Sequence, residues 1–269
     1  PPLGTVLSVS LGPWAVVLLT TACFLATAIV LMTVRVDESP AVLEDAHEPW
    51  IRQVTAGFRQ LLSEPTLRLL TIVMTLAFAA NGLLNATVFP FVEVGTGAGP
   101  EALGPLQAVQ GAGAVVGGLT AARVLRRTGE RLLVAWGLAL LGAGLVVGLA
   151  VLIVQPDAAW MRWAGMSATQ LLVGFSVPWA IVGVVTYRQR VTPPRLQGRT
   201  SAALNAAINV PQLGFLALGA ALLAVMDFRI LIAICAAAMV AAGVVCALVR
   251  PRVELAPSAP SAPSPSAAP

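Results

Sequence analysis

The feature that most constrains this chain is its division into long apolar blocks that carry almost no charge. The stretch "LLVAWGLALLGAGLVVGLAVLIV", residues 132–154, is one of them. Such a block has no polar face to turn toward water, so it does not suit a surface helix of a globular protein. It does suit a bilayer, whose hydrocarbon core of about 30 Å takes roughly 20 apolar residues of helix. Seven blocks of this kind occur, near 15–34, 67–90, 103–124, 132–153, 163–186, 201–225 and 229–249. With 58% apolar and 10% charged residues, the chain lies far from the roughly 25% charge of a soluble domain. The sequence predicts an all-α, polytopic membrane bundle.

Charge placement predicts which way the blocks run. All sixteen basic residues are Arg. Arg35, Arg52, Arg59 and Arg68 fall between the first two spans, and Arg123, Arg126, Arg127 and Arg131 between the third and fourth. Arg188, Arg190, Arg195 and Arg199 follow the fifth span, and Arg250 and Arg252 follow the seventh. The alternate loops hold only Arg162 and Arg229. Because short basic loops stay cytoplasmic, this alternation predicts residue 14 outside and the C-terminus inside, with Trp160 and Trp163 at the outer interface. The arginines of "TYRQRVTPPRLQGRTSAALNA" hold a short loop at the cytoplasmic face near headgroups. With only Tyr187 among them, they lack the interleaved aromatics that stack single-stranded nucleic acid, and no nucleic-acid partner is expected.

The segment 35–66 differs in kind. "RVDESPAVLEDAHEP" reads as a polar linker containing the lone His47. Then Trp50, Ile51, Val54, Phe58, Leu61 and Leu62 recur at helical spacing opposite Arg52, Gln53, Arg59 and Gln60. An amphipathic helix beginning after Pro49 and broken at "SEP", 63–65, follows, lying on the membrane face or docking a partner. The tail "APSAPSAPSPSAAP" is too poor in apolar bulk to fold. The chain opens on Pro1 inside apolar sequence with no basic leader, which predicts that further spans precede it.

Polar side chains sort the spans, since lipid offers them no partner. Asn81 and Asn85 share one face of the second span, and Gln107 and Gln110 one face of the third. The fifth carries Gln170, and Asn205, Asn209 and Gln212 form a stripe on the sixth. These amides either line a common cleft or join helices to one another. The fourth and seventh spans, nearly bare of polar groups, are expected to face lipid together with the first. Pro178 and Pro211 interrupt the donor ladder of the fifth and sixth spans and are expected to kink them, while "GAGAVVGG" (111–118) and "GAGLVVG" (142–148) permit close helix packing. No acid lies near the middle of a span. Cys23, Cys235 and Cys246 sit in apolar blocks as small hydrophobes. No metal cluster, phosphate-binding loop or nucleophile–base set is legible, so no enzyme, metal or cofactor is expected.

Three loops carry a resemblance to a known family. "GGLTAARVLRRTGERLL", 117–133, resembles the basic loop motif of the major facilitator superfamily, in the copy between its eighth and ninth spans. "GFRQLLSEPTLRLL", 57–70, resembles the end of that family's central loop. "RQRVTPPRLQGRTSAALNA" is similar to the loop between its tenth and eleventh spans, especially in the efflux branch that includes macrolide and siderophore exporters. The resemblance implies that residues 1–34 end an N-terminal bundle, 35–66 form the central loop, 67–250 a C-terminal six-helix bundle, and 251–269 a tail. It further implies a proton-coupled exporter of small amphipathic molecules in the cell membrane. An uptake transporter of the same fold and a non-transporting membrane sensor are the alternatives. Arg126, Arg127, Gly129, Glu130 and Arg131, with Arg195, Gly198 and Arg199, would belong to the cytoplasmic gate. The family's motif has an Asp where Arg126 stands, so an ion pair made by that Asp is either lost or transferred to Glu130.

Overall fold

The structure, a computed structural model, describes residues 13–33 and 50–249. The linker with His47, the residues before Pro13, and the tail with Arg250 and Arg252 lie outside the described residues. The described chain forms α1 (Pro13–Thr33), α2 (Trp50–Ser63), α3 (Pro65–Thr96) and α4 (Leu103–Thr128), then α5 (Glu130–Val154), α6 (Ala159–Val191), α7 (Gln197–Leu222) and α8 (Phe228–Leu248). All but α2 are long and apolar enough to cross a membrane. They match the seven expected blocks. The second and fifth blocks, however, extend at both ends into helices of 32 and 33 residues. At about 1.5 Å per residue these reach roughly 48 Å, well beyond the hydrocarbon core.

Local chemistry sets the breaks. Glu64 ends α2 and caps α3, its carboxylate accepting from the Leu67 amide while Pro65 fills the first helical position, where no donor is needed. Gly129 alone joins α4 to α5, at a φ of 80° that an L side chain rarely adopts. Pro193 and Pro194 form the turn into α7, and the Asp227 carboxylate accepts from the Arg229 amide at 2.8 Å to start α8.

Packing follows the small residues. The main helix pairs are α5–α6, α3–α7, α4–α6 and α5–α8. Gly113 and Gly117 of α4 lie against the backbone of Leu171 and Phe175, and Gly174 of α6 lies against the Gln110 carbonyl, leaving no room for a Cβ. Gly82 meets the Gln212 backbone in the same way, joining α3 to α7. Gly142 and Gly243 bring α5 and α8 together. One apolar core, including Leu70, Met74, Leu138, Val184, Leu204 and Met239, occupies the arginine-rich end of the bundle. A smaller core of Phe91, Leu106, Leu152, Met166 and Ile232 occupies the other. Among the described side chains of α1, Trp14 to Thr33, none is buried.

The apolar spans α5 and α8 are 39% and 44% buried, against 17% and 22% for the spans containing α4 and α7. An apolar helix rich in glycine packs as readily on other helices as on lipid, and α5 becomes the backing of the bundle. Its outward face still exposes Trp136, Val146 and Ile153.

The α4–α6 crossing leads to a direct stability test. Gly174→Leu forces backbones apart and costs at least about 1–3 kcal/mol. Gly118→Leu, on the open side of α4 where nothing lies within 4 Å, leaves the thermal midpoint in detergent unchanged. Equal midpoints for the two variants would refute the crossing.

Candidate substrate cleft

Three helices aim amide side chains into one space. Asn81 and Asn85 of α3, Gln107 and Gln110 of α4, and Gln170 of α6 line a cleft of about 160 Å³. Phe91, Leu145, Val173 and Ile232 supply apolar wall, so the apolar spans α5 and α8 also contribute. A second space of about 160 Å³ adjoins it, sharing Asn81, Gln110 and Val173, and continues along α5 past Leu138 and Leu141 to Ser176 of α6. No charged residue lines either space.

The amides divide into two kinds. The Asn81 side-chain oxygen accepts from Asn85 Nδ2 and from Gln212 Nε2, both at 2.9 Å, which ties α3 to α7. By contrast, Gln107, Gln110 and Gln170 make no side-chain hydrogen bond among the described residues. Their donors and acceptors are open to whatever enters. Asn205 and Asn209 are exposed on α7 and line neither space; the Asn209 amide donates to the Asn205 carbonyl at 2.9 Å. Of the α7 stripe, only Gln212 reaches the other amides.

The two prolines sit inside unbroken helices. Pro178 withdraws the donor that the Gly174 carbonyl would otherwise receive, at the very crossing where Gly174 meets Gln110. Pro90 of α3 does the same one turn beyond Asn85, a third interruption that the sequence reading passed over. Trp179 was also missed: its indole N–H donates to the Gly117 carbonyl and the Thr120 hydroxyl, each at 3.1 Å, across the α4–α6 contact.

At the arginine-rich end the residues expected at a cytoplasmic gate take separate places. Glu130 pairs with Arg190 at 3.2 Å, and the Arg190 guanidinium lies 5.2 Å over the Tyr187 ring. The Tyr187 hydroxyl donates to Glu64 at 2.8 Å. A polar chain thus links the start of α5, the end of α6 and the start of α3. Arg131 donates to the last carbonyls of α8, at Cys246 (3.1 Å), Ala247 (3.2 Å) and Val249. The buried Arg188 donates to the Gln197 carbonyl at 3.0 Å and fixes the turn into α7. Arg126 and Arg127 end α4, where cations suit the helix dipole. Gly198 is exposed, and Arg195 and Arg199 face α2 across a basic pocket.

Comparison with known proteins settles the family. The model of the Major Facilitator Superfamily matches residues 1–209 and, again, 70–268. The chain belongs to the major facilitator superfamily. It is also 31% identical over 218 residues to an uncharacterized MFS-type transporter, y4rN, of Sinorhizobium fredii (strain NBRC 101917 / NGR234), a match covering 80% of this chain and 50% of that protein. The chain therefore spans about half the length of the curated relative it matches. No solved structure matches it. As a member of a transporter superfamily with seven membrane-capable helices, it is a multi-pass membrane protein.

The Asn81–Gln212 bond lends itself to a double-mutant cycle. Asn81→Ala, Gln212→Ala and the pair, unfolded in mixed micelles, should return a coupling energy near 0.6 kcal/mol, the average for interhelical hydrogen bonds in a membrane. Strict additivity of the two single variants would remove the bond from the α3–α7 interface.

Proposed function

We propose that the complete protein is a proton-coupled exporter of small amphipathic molecules, working by alternating access in the cell membrane with its C-terminus in the cytoplasm. The observation that carries this reading is the pairing of open amides with apolar wall. Gln107, Gln110 and Gln170 offer hydrogen bonds, while Phe91, Leu145, Val173 and Ile232 offer burial. Sites of this composition draw most of their affinity from apolar contact and use a few polar groups to orient the ligand. A lining without charge gives a fully ionised nutrient nothing to exchange for its hydration, which favours an amphipathic cargo over a charged one.

Residues 67–250 serve in this reading as the C-terminal bundle, and residues 1–34 as the end of the bundle that faces it. Rocking of one bundle against the other opens the cleft to each side in turn. The contacts among Glu130, Arg190, Tyr187 and Glu64 hold the cytoplasmic side closed, with Glu130 in the role of the Asp that the family's motif carries. Proton coupling needs a carboxylate that titrates within the membrane. None lines this cleft, so the coupling group belongs to the facing bundle.

Expression of the complete gene should lower the steady-state accumulation of a lipophilic dye in cells, and an uncoupler should abolish that effect. Efflux that persists in the uncoupler would reject proton coupling. Gln110→Leu with Gln170→Leu removes two orienting hydrogen bonds of about 1 kcal/mol each. It should cut the initial efflux rate roughly tenfold or more at equal membrane abundance. An undiminished rate would reject the cleft as the cargo site.

A further inference from the structure

The largest of the three spaces described is not in the bundle. Helix α2 and the entry to α7 enclose a pocket of about 540 Å³. Arg52 and Arg59 come from one side, seven residues apart on one face of α2, and Arg195 and Arg199 from the other. Among the described residues, Thr55, Ala56, Gln60, Ser63 and Leu196 also line it, and none of these is a carboxylate. The arrangement is built: Gly57 lies against the Arg199 carbonyl, and Leu61 is fully buried beside it. This close contact draws α2 onto α7 and brings the two pairs of arginines over one space.

Other arginines at this end have partners within the protein. Arg131 holds the α8 carbonyls, Arg188 the Gln197 carbonyl, and Arg190 the Glu130 carboxylate. The guanidinium groups of Arg52, Arg59 and Arg195 have no hydrogen-bonded or ionic partner among the described residues. Like charges gathered around a cavity repel unless an anion joins them, and the guanidinium fork matches phosphate oxygens two at a time.

Depth identifies the anion. Ser63 lines the pocket two residues before span α3 begins at Pro65, and Arg199 lines it within the first turn of α7. The pocket therefore sits where two spans enter the bilayer, in the headgroup layer that adds roughly 5–7 Å on each side of the hydrocarbon. Leu62, 48% exposed on the same helix, is available to acyl chains. We propose that this pocket binds the phosphate headgroup of an anionic phospholipid, which bridges α2 to α7. The site is separate from the cleft and independent of the direction in which cargo moves.

The full-length protein in nanodiscs tests this by native mass spectrometry of retained lipid. Phosphatidylglycerol should remain bound to the wild-type protein at least tenfold more tightly than phosphatidylcholine. Arg52→Gln with Arg59→Gln and Arg195→Gln should erase that preference. Removing the same charge from the end of α4, by Arg123→Gln with Arg126→Gln and Arg127→Gln, should leave it within about twofold. Equal retention of the two lipids by the wild-type protein overturns the proposal without recourse to any variant. An equal loss in both triple variants overturns it in favour of diffuse surface charge. Displacement of phosphatidylglycerol by inorganic phosphate at matched concentration overturns the lipid assignment in favour of a soluble anion.

Discussion

The crossing of α4 over α6 is the contact on which the cleft depends. Within lipid, helices gain little from the hydrophobic effect and are held by packing and polar contacts, so small residues decide where backbones meet. Gly113, Gly117 and Gly174 put the two backbones in direct contact. Gln107 lies one turn from Gln110, and Gln170 one turn from Gly174. The contact that joins the helices therefore also aims three amides into one space. Trp179 secures the same pair further along by its bonds to Gly117 and Thr120. A bulky residue at Gly174 would not merely loosen this pair; it would separate the cleft's polar groups.

A second pair, α3 with α7, is built on the same plan. Gly82 meets the Gln212 backbone, and the Gln212 side chain donates to Asn81. The cleft lies between these pairs, with α5 behind it and α3 touching α6 across it. Its width is thus set by the contact between two stiff pairs, not by the packing within either. Asn81 belongs to both purposes, as a member of the α3–α7 joint and as part of the cleft wall.

Much of this was legible in the sequence, because each signal had a local cause. Apolar run length marked the spans, and the SEP motif marked the break between α2 and α3. The amides at 81, 85, 107, 110 and 170 do come together. Asn205 and Asn209 do not. Helical spacing tells which residues share a stripe but not which neighbour the stripe meets, and α7 is turned so that only Gln212 reaches α3. The packing of α5 and α8 on other helices is a related case. The absence of polar groups fits contact with lipid and contact with other helices equally well, and the glycines at 137, 142, 144 and 148 were the better guide. The bond between Glu64 and Tyr187 spans 123 residues, and no periodicity or motif connects them.

The helix contacts inside the membrane and those at the arginine-rich end differ in how firmly they are joined, and the difference suits the proposed rocking. The crossings inside the membrane are backbone contacts that can shift only by disrupting close packing. The joints at the arginine-rich end are of another kind. Arg190 is 61% exposed where it meets Glu130, and an ion pair so open to solvent contributes about 0–1 kcal/mol. The Tyr187–Glu64 bond, made to a carboxylate, adds about 1.5–3 kcal/mol. Contacts of that size can form in one state and break in the other without a large barrier in either direction. Arg131, by contrast, satisfies carbonyls at the end of α8 that have no other partner within their helix, so it is committed to the fold and is poorly suited to switching. Within the first turn of α5, neighbouring residues therefore divide the labour in the proposed rocking: Glu130 is placed to move, and Arg131 to stay.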